Sequence, residues 1–279
     1  MPEDELTPGA GASPLSFDRV ASDYERSRFL PPHVAQTVAA LICRNLPAGS
    51  FLLDAGVGTG RYGRALAARH ARTVGVDVSR AMMNRLKGNG NAPAAPLPHL
   101  LQADLRALPF ARGAFAGALA AHVFHLIADW PRALDEVWRV LAPGWGTLWI
   151  AREEEDDLKV RSHYLRRAAE RGVLPPNPGA RTAQVLAALA ALGAHVQVVS
   201  PPDAAASLCW ERTWSARQML DLLAGRAYSL QWDIPDDVHQ ALIAETRGWA
   251  QDAFGSLAAC EQAQTRLTLY AARKPAART

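Results

Sequence analysis

The apolar positions change period along the chain, and each change marks an element. From Ser16, charged and aromatic residues recur at helical spacing through SFDRVASDYERSRF, and Pro31-Pro32 closes that segment. A second helix is expected from about Val34 to Leu46, stopped by Pro47-Ala48-Gly49. The pattern then switches to a short apolar run, FLLDAG (51–56), which reads as a buried parallel strand. RYGRALAARH (61–70) returns to helical spacing, and TVGVDV (73–78) is the next strand. A helix from Arg80 to Lys87 leads into a Gly/Asn/Pro/Ala loop over 88–96. HLLQADL (99–105), AFAGALAAHVF (114–124) and GTLWIAR (146–152) read as strands. PRALDEVWRVLAP (131–143) sets Leu134, Val137, Trp138 and Leu141 on one helical face. Strand and helix alternate, so the class is α/β with a mostly parallel sheet.

Past residue 152 the rhythm loosens. Helices are expected over 157–171 and 182–193, and strands over AHVQVVS (194–200) and TRLTLYAAR (265–273). The residues between those two strands read as mostly helical, a long insertion of the kind that carries function. The chain therefore divides into a flexible tail (1–15), N-terminal helices forming part of a cap (16–50), a core (51–200), a helical substrate cap (201–263) and a last strand with its tail (264–279).

Composition narrows the class. Of 279 residues, 49% are hydrophobic and 20% charged, which excludes global disorder, collagen and a disulfide scaffold. The acidic start (Glu3, Asp4, Glu5) does not read as a signal peptide, and no apolar run is long enough for a membrane span, so a cytoplasmic location is expected. Net charge is +3, the basic residues are nearly all Arg, and no basic block is interleaved with aromatics; no nucleic-acid surface is expected. Cys43, Cys209 and Cys260 lie far apart, and no carboxylate or His cluster has metal-ligand spacing, so neither disulfide nor metal is expected. Nothing in the pattern specifies an oligomeric state.

Candidate chemistry centres on Asp54-Ala55-Gly56-Val57-Gly58-Thr59-Gly60, between an expected strand and an expected helix. Glycines there let the backbone turn tightly and approach a ligand, while the helix start offers unpaired N–H groups. Gly58-x-Gly60-x-x-Gly63 satisfies the dinucleotide fingerprint, and Asp77 lies at the distance expected of a ribose-binding acid. Asp54 stands ahead of the glycines, where it would repel a pyrophosphate and welcome a cationic amino group. Asp104, ending the third strand, can accept from an adenine amino group. Three acids so placed suit S-adenosylmethionine better than NAD.

With these residues in view, the chain resembles a class I S-adenosylmethionine-dependent methyltransferase of the ubiquinone/menaquinone-biosynthesis branch. The resemblance rests on LLDAGVGTGRYGRAL (52–66), VGVDVSRAMM (74–83), LLQADLRALPF (100–110), HVFHLIADWPRALDEVWRVLAPGWGTLWI (122–150) and the N-terminal FDRVASDYERSR (17–28). It implies a Rossmann-like, doubly wound, mostly parallel seven-stranded sheet with a helical cap, and direct methyl transfer to a small-molecule acceptor. It implies further that Asp54, Ala55, Gly56, Gly58 and Gly60 wrap the methionine half of the cofactor, and that Asp77 takes the ribose. Val78, Met82, Ala103, Asp104 and Leu105 would line the adenine, His122 would lie near the sulfonium, and Tyr24 and Arg28 would cover the carboxylate. Two departures are Ala116, where the family often has Asp, and Pro143-Gly144-Trp145-Gly146 in place of Pro-Gly-Gly.

His122 and His125 are candidate general bases, since imidazole titrates near neutral pH, although alignment alone can supply much of the rate. His125, Trp214 and Tyr228 are the candidate substrate-binding residues. The acidic run Glu153–Asp157 reads foremost as the solvated start of a helix, and secondarily as a greeting for a cationic substrate. Two rivals stand beside the methyltransferase reading: an NAD(P)-dependent oxidoreductase and a catalytically silent S-adenosylmethionine-binding protein.

Overall fold

The computed structural model describes residues 28–70, 72–88, 96–174, 179–201 and 208–276. The expected tail (1–15), most of the first expected helix with its Tyr24, and nearly all of the expected loop over 88–96 lie outside the described residues. Helix α1 (Pro32–Cys43) starts with a proline in its first turn and buries Val34, Val38, Leu41 and Ile42 along one stripe. Then follow β1 (Leu52–Ala55), α2 (Gly63–Arg69), β2 (Thr73–Asp77), α3 (Arg80–Gly88), β3 (His99–Gln102) and β4 (Gly117–Ala121). A 3-10 turn at Phe124–Leu126 precedes α4 (Trp130–Val140) and β5 (Thr147–Glu155). Last come α5 (Lys159–Glu170), α6 (Thr182–Ala191), β6 (His195–Val199), β7 (Cys209–Ser215), α7 (Ala216–Ala224), α8 (Asp236–Phe254) and β8 (Cys260–Arg273).

The sheet runs β3-β2-β1-β4-β5-β8-β6, with β7 paired to β8. The first five strands are parallel; β8 is antiparallel to β5, β6 and β7. This is the expected doubly wound sheet with one strand more than the seven expected. The extra strand, β7, falls inside the insertion that reads as helical. Its period-two alternation, with Trp210 and Trp214 buried and Glu211 and Thr213 exposed, is a strand signal. It pairs with residues 260–266 of β8, which is why β8 starts well before the expected Thr265.

Adjacent residues of the central strands feed opposite faces. Leu53, Ala118, Leu148 and Ile150 join α4 and α6 in one core, and Leu52, Leu119 and Trp149 join α1 in the other. Ala133, Leu134, Val137 and Trp138 form the buried stripe of α4. A third core lies apart from the sheet: Val160, Tyr164 and Ala168 of α5 pack with Met219, Leu220 and Leu223 of α7 and Leu242 and Ala250 of α8. α5 thus joins the helices of the insertion.

The acidic run is corrected by the structure. Glu153, Glu154 and Glu155 end β5 instead of opening a helix, and α5 begins only at Lys159. Pairing with Leu267, Arg266 and Thr265 of the long β8 extends β5 through these acids. The Pro-Gly-Trp-Gly turn leaves Trp145 45% exposed, away from the glycine loop.

Candidate active site

The chain crosses from β1 to β2 and β3 on one side and returns to β4 on the other, so β1 and β4 bracket the topological switch point. Residues 56–60 leave the carboxyl end of β1 there. Gly56, Gly58 and Gly60 all have positive φ, at 82°, 52° and 83°, a region that side-chain-bearing residues rarely enter. Two of them also lack room: a Cβ on Gly56 would stand 2.8 Å from Val123 Cγ2, and one on Gly60 2.3 Å from Leu86 Cδ1. The third glycine of the dinucleotide fingerprint, Gly63, is accounted for by packing, since a Cβ there would lie 3.0 Å from both Asp54 Oδ2 and Val57 Cγ2.

A cleft of about 310 Å³, counted with the solvent at its mouth, lies at the loop, lined by Asp54, residues 56–59, Arg61, Tyr62 and Ala121. Asp54 is only 3% exposed. Burial, reinforced by the Asp77 carboxylate, pushes its carboxyl up to about 7. Asp77 is clamped by two backbone donors: Gly58 N–H donates to Oδ2 at 2.8 Å and Ser79 N–H to Oδ1 at 2.8 Å. Those bonds tie the end of β2 to the glycine loop.

Val78 is exposed beside the loop and Met82 is buried behind it, its Cε 3.5 Å from where a Gly58 Cβ would lie. Ala103 N–H donates to the Asp77 carbonyl, which brings 103–105 alongside. Leu105 is buried. Both carboxylate oxygens of Asp104 accept from Arg106, a bidentate pair on a partly exposed side chain. Hydrogen bonding and charge from Arg106 hold the Asp104 carboxyl below the usual carboxylate range.

Past β4 the backbone bends sharply at His122, whose φ of 51° is left-handed, a strained choice for a residue with a side chain. Its Nε2 lies 3.2 Å from Glu153 Oε1. Glu153 also accepts from Arg61 Nη2 at 2.9 Å on each oxygen and from the Tyr62 hydroxyl at 2.8 Å. Burial raises the Glu153 carboxyl, but His122 and Arg61 outweigh it and hold the group well below its ordinary value. Burial lowers the His122 imidazole, with Glu153 opposing and Arg28 and Arg61 assisting. His125 sits in the following 3-10 turn, its ring 6.2 Å from that of His122, and burial with His122 and Arg28 nearby lowers its pKa to about 3.

Arg28 reaches the helical unit: its guanidinium lies 5.6 Å from the Tyr228 ring centroid. Trp214 is buried in the third core with the Arg212 guanidinium 4.0 Å from its ring centroid. The fold thus brings Asp54, Asp77, Val78, Met82 and 103–105 around the glycine loop, and Arg28, His122, His125 and Tyr228 to a second locus next to it. Sequence reading passed over Arg61, Tyr62 and Glu153 as a buried group, and over Arg161 and Arg212. Tyr62 and Arg61 follow the last loop glycine directly, a position that points side chains toward the strand ends; nothing local marks Arg161.

Fold and site together define a Rossmann-like α/β protein with a small-ligand cradle at its switch point. Residues 53–150 match the family described as "Methyltransferase domain". A 2-phytyl-1,4-naphtoquinone methyltransferase from Thermosynechococcus vestitus is 33% identical over 135 residues, 46% of this chain and 59% of that protein. A malonyl-[acyl-carrier protein] O-methyltransferase from Salmonella typhimurium is 31% identical over 129 residues, 46% of this chain and 49% of that protein. The chain spans about half the length of these curated relatives. The YcgJ protein of Bacillus subtilis shares the fold at a TM-score of 0.56 and 16% identity, with 86% of this chain and 98% of that chain covered. Among the described residues, no helix is long and apolar enough to cross a membrane.

Proposed function

We propose that the protein transfers a methyl group from S-adenosylmethionine to a nucleophilic atom of a small-molecule acceptor. The carrying observation is the cradle itself: three glycines at positive φ, of which Gly56 and Gly58 line the cleft, with the buried Asp54 beside them and Asp77 clamped to Gly58. When bound, S-adenosylmethionine supplies an electrophilic methyl group on a sulfonium. Asp54 holds the cationic amino group, and ionises fully once that charge is beside it. Asp77, its carboxylate fixed by the Gly58 and Ser79 N–H groups, accepts from the ribose hydroxyls. Val78, Met82, Ala103 and Leu105 provide the apolar walls for adenine, with Asp104 at the polar edge.

Arg28 covers the cofactor carboxylate. His122 lies next to the reacting centre, its imidazole oriented by Glu153, and takes the acceptor's proton where the acceptor is not already ionised. His125, with its pKa near 3, is too weak a base for that task at neutral pH and serves as a neutral wall of the acceptor site. The helical unit of α5, α7 and α8 forms the cap that excludes water and sets the acceptor's approach, with Trp214 and Tyr228 on the substrate side. An NAD(P) site is not favoured: the buried acid under the loop opposes a pyrophosphate, and the named relatives are methyltransferases.

Calorimetric titration with S-adenosylhomocysteine tests the reading. Wild-type protein binds it, and Asp77→Ala weakens binding by about tenfold or more, through the lost ribose contact and the released Gly58 loop. A folded protein that binds neither S-adenosylhomocysteine nor S-adenosylmethionine sinks the proposal. Binding without turnover of any acceptor selects the silent binding protein instead.

A further inference from the structure

At the end of the sheet away from the cleft, β6 is an open edge. Its partner on the inner side is β8, and among the described residues no strand pairs with its outer side. Such an edge leaves a row of N–H and C=O groups ready to pair, and proteins blunt it with charged side chains, proline or a covering segment. Here the blunting is missing. Residues 182–200, which make up α6, its turn and β6, contain no Asp, Glu, Lys or Arg and no proline, in a chain where 20% of residues are charged. The surface is also uncovered: Val198 is 57% exposed and Leu192 42%.

Alternation sets the two faces of β6. Val196 packs on the core that contains α6, so Val198 shares that face, while Val199 packs on the core that contains α1. A charged partner docked on this edge would lose hydration and find no permanent counter-ion along 182–200. A second copy of the chain brings the same uncharged face. A strand laid antiparallel to its own copy is also self-complementary, because a two-fold axis presents the same alternation of donors and acceptors from both sides. Size decides the strength. At most 17 of the 19 residues over 182–200, all but Val185 and Leu189, have any exposed surface to offer. That is below the roughly 20–30 residues per side of a standard interface, so the association dissociates on dilution.

We propose that β6 pairs antiparallel with β6 of a second copy of this chain, centred on Gln197, and joins the two sheets across a two-fold axis. In this register Val198 lies opposite Val196 of the second copy, and the two Val198 positions are diagonal neighbours about 7–8 Å apart. The pairing does not depend on the methyl-transfer reading. It leaves the cleft between β1 and β4 open, because β5 and β8 stand between that cleft and β6.

Sedimentation velocity of the whole protein, from about 1 to about 200 µM, is the test. Wild type is expected to pass from monomer to dimer over this range. Val198→Lys and Val198→Glu should each weaken dimerisation at least about tenfold, because like charges then meet across the axis. Both should melt like dilute wild type in circular dichroism, since the side chain is open to solvent. Mixing the two variants in equal amounts should restore the dimer by pairing opposite charges. Leu97→Lys changes a 41% exposed residue beside β3, at the opposite edge of the sheet, and should leave the dimer intact. A monomer at every concentration, a dimer that survives both Val198 variants, a mixture that stays monomeric, or growth beyond the dimer overturns the proposal.

Discussion

Asp54 concentrates the residue-scale physics of the site. A carboxyl whose folded pKa is raised to about 7 holds a proton that the unfolded chain has released above about 4, so its contribution to stability falls as pH rises through that window and is constant above 7. His125 works the other way: with a folded pKa near 3 it stays neutral while the unfolded chain takes up a proton below about 6.5, so its contribution is present above 6.5 and lost as pH falls toward 3. The two slopes oppose each other between about 4 and 6.5. Asp54→Asn separates them: in urea denaturation from pH 4 to 8 the variant loses the downward slope, of at most about 1.4 kcal/mol per pH unit, and keeps the His125 slope. The same group links pH to binding. A cationic amino group favours the ionised carboxylate, so wild-type affinity for S-adenosylhomocysteine should fall below pH 7, whereas Asp54→Asn binds weakly at every pH. A pH-independent wild-type affinity would remove Asp54 from the amino-group contact.

At the scale of elements, β7 and its junction with α7 join the sheet to the helical unit. Ser215 ends the strand and caps the helix: its hydroxyl accepts from Gln218 N–H at 3.1 Å, and Gln218 Oε1 accepts from Ser215 N–H at 2.9 Å. Ser-x-x-Gln is a helix-start signature, yet the preceding Trp-Glu-Arg-Thr-Trp was read as part of a helical insertion. The alternation of Trp210, Arg212 and Trp214 on one face is the local strand signal. Ser215→Ala should cost about 1 kcal/mol, read as a lower urea midpoint with an unchanged m-value. A null effect would mean that the tertiary contacts of α7 hold its first turn without the cap. The glycine loop was legible because its requirements are local, in φ and in spacing. The clustering of Arg61, Tyr62, His122 and Glu153 was not, because Glu153 approaches the loop only through β5 pairing with β4, far along the chain.

Across the molecule, two cores lie on the two faces of the sheet and a third belongs to α5, α7 and α8. Separate cores open with separate free energies. Leu220, fully buried in the third core, is the place to test this: Leu220→Ala should cost about 2–5 kcal/mol. In hydrogen exchange the lost protection should concentrate in α5, α7 and α8 while β1, β2 and β4 retain theirs. A uniform loss over all strands would show instead that the helical unit and the sheet unfold as one. If protection is lost locally, S-adenosylhomocysteine binding survives in the variant, because every residue proposed for Asp-and-glycine contact to the cofactor lies outside the third core.

What the sequence by itself determined was set by short-range rules: alternating strand and helix periods define the α/β class, and turn chemistry defines the glycine loop. Spacing along consecutive strands places Asp54, Asp77 and Asp104 at neighbouring strand ends. The tertiary structure alone decided which charges are buried and which partners they meet. Glu153 looked like one of five solvated acids until β8 pairing carried β5 outward and turned its carboxylate onto Arg61 and His122. Local periodicity fixes which way a side chain points; the electrostatic environment it points into depends on contacts between residues distant in the chain.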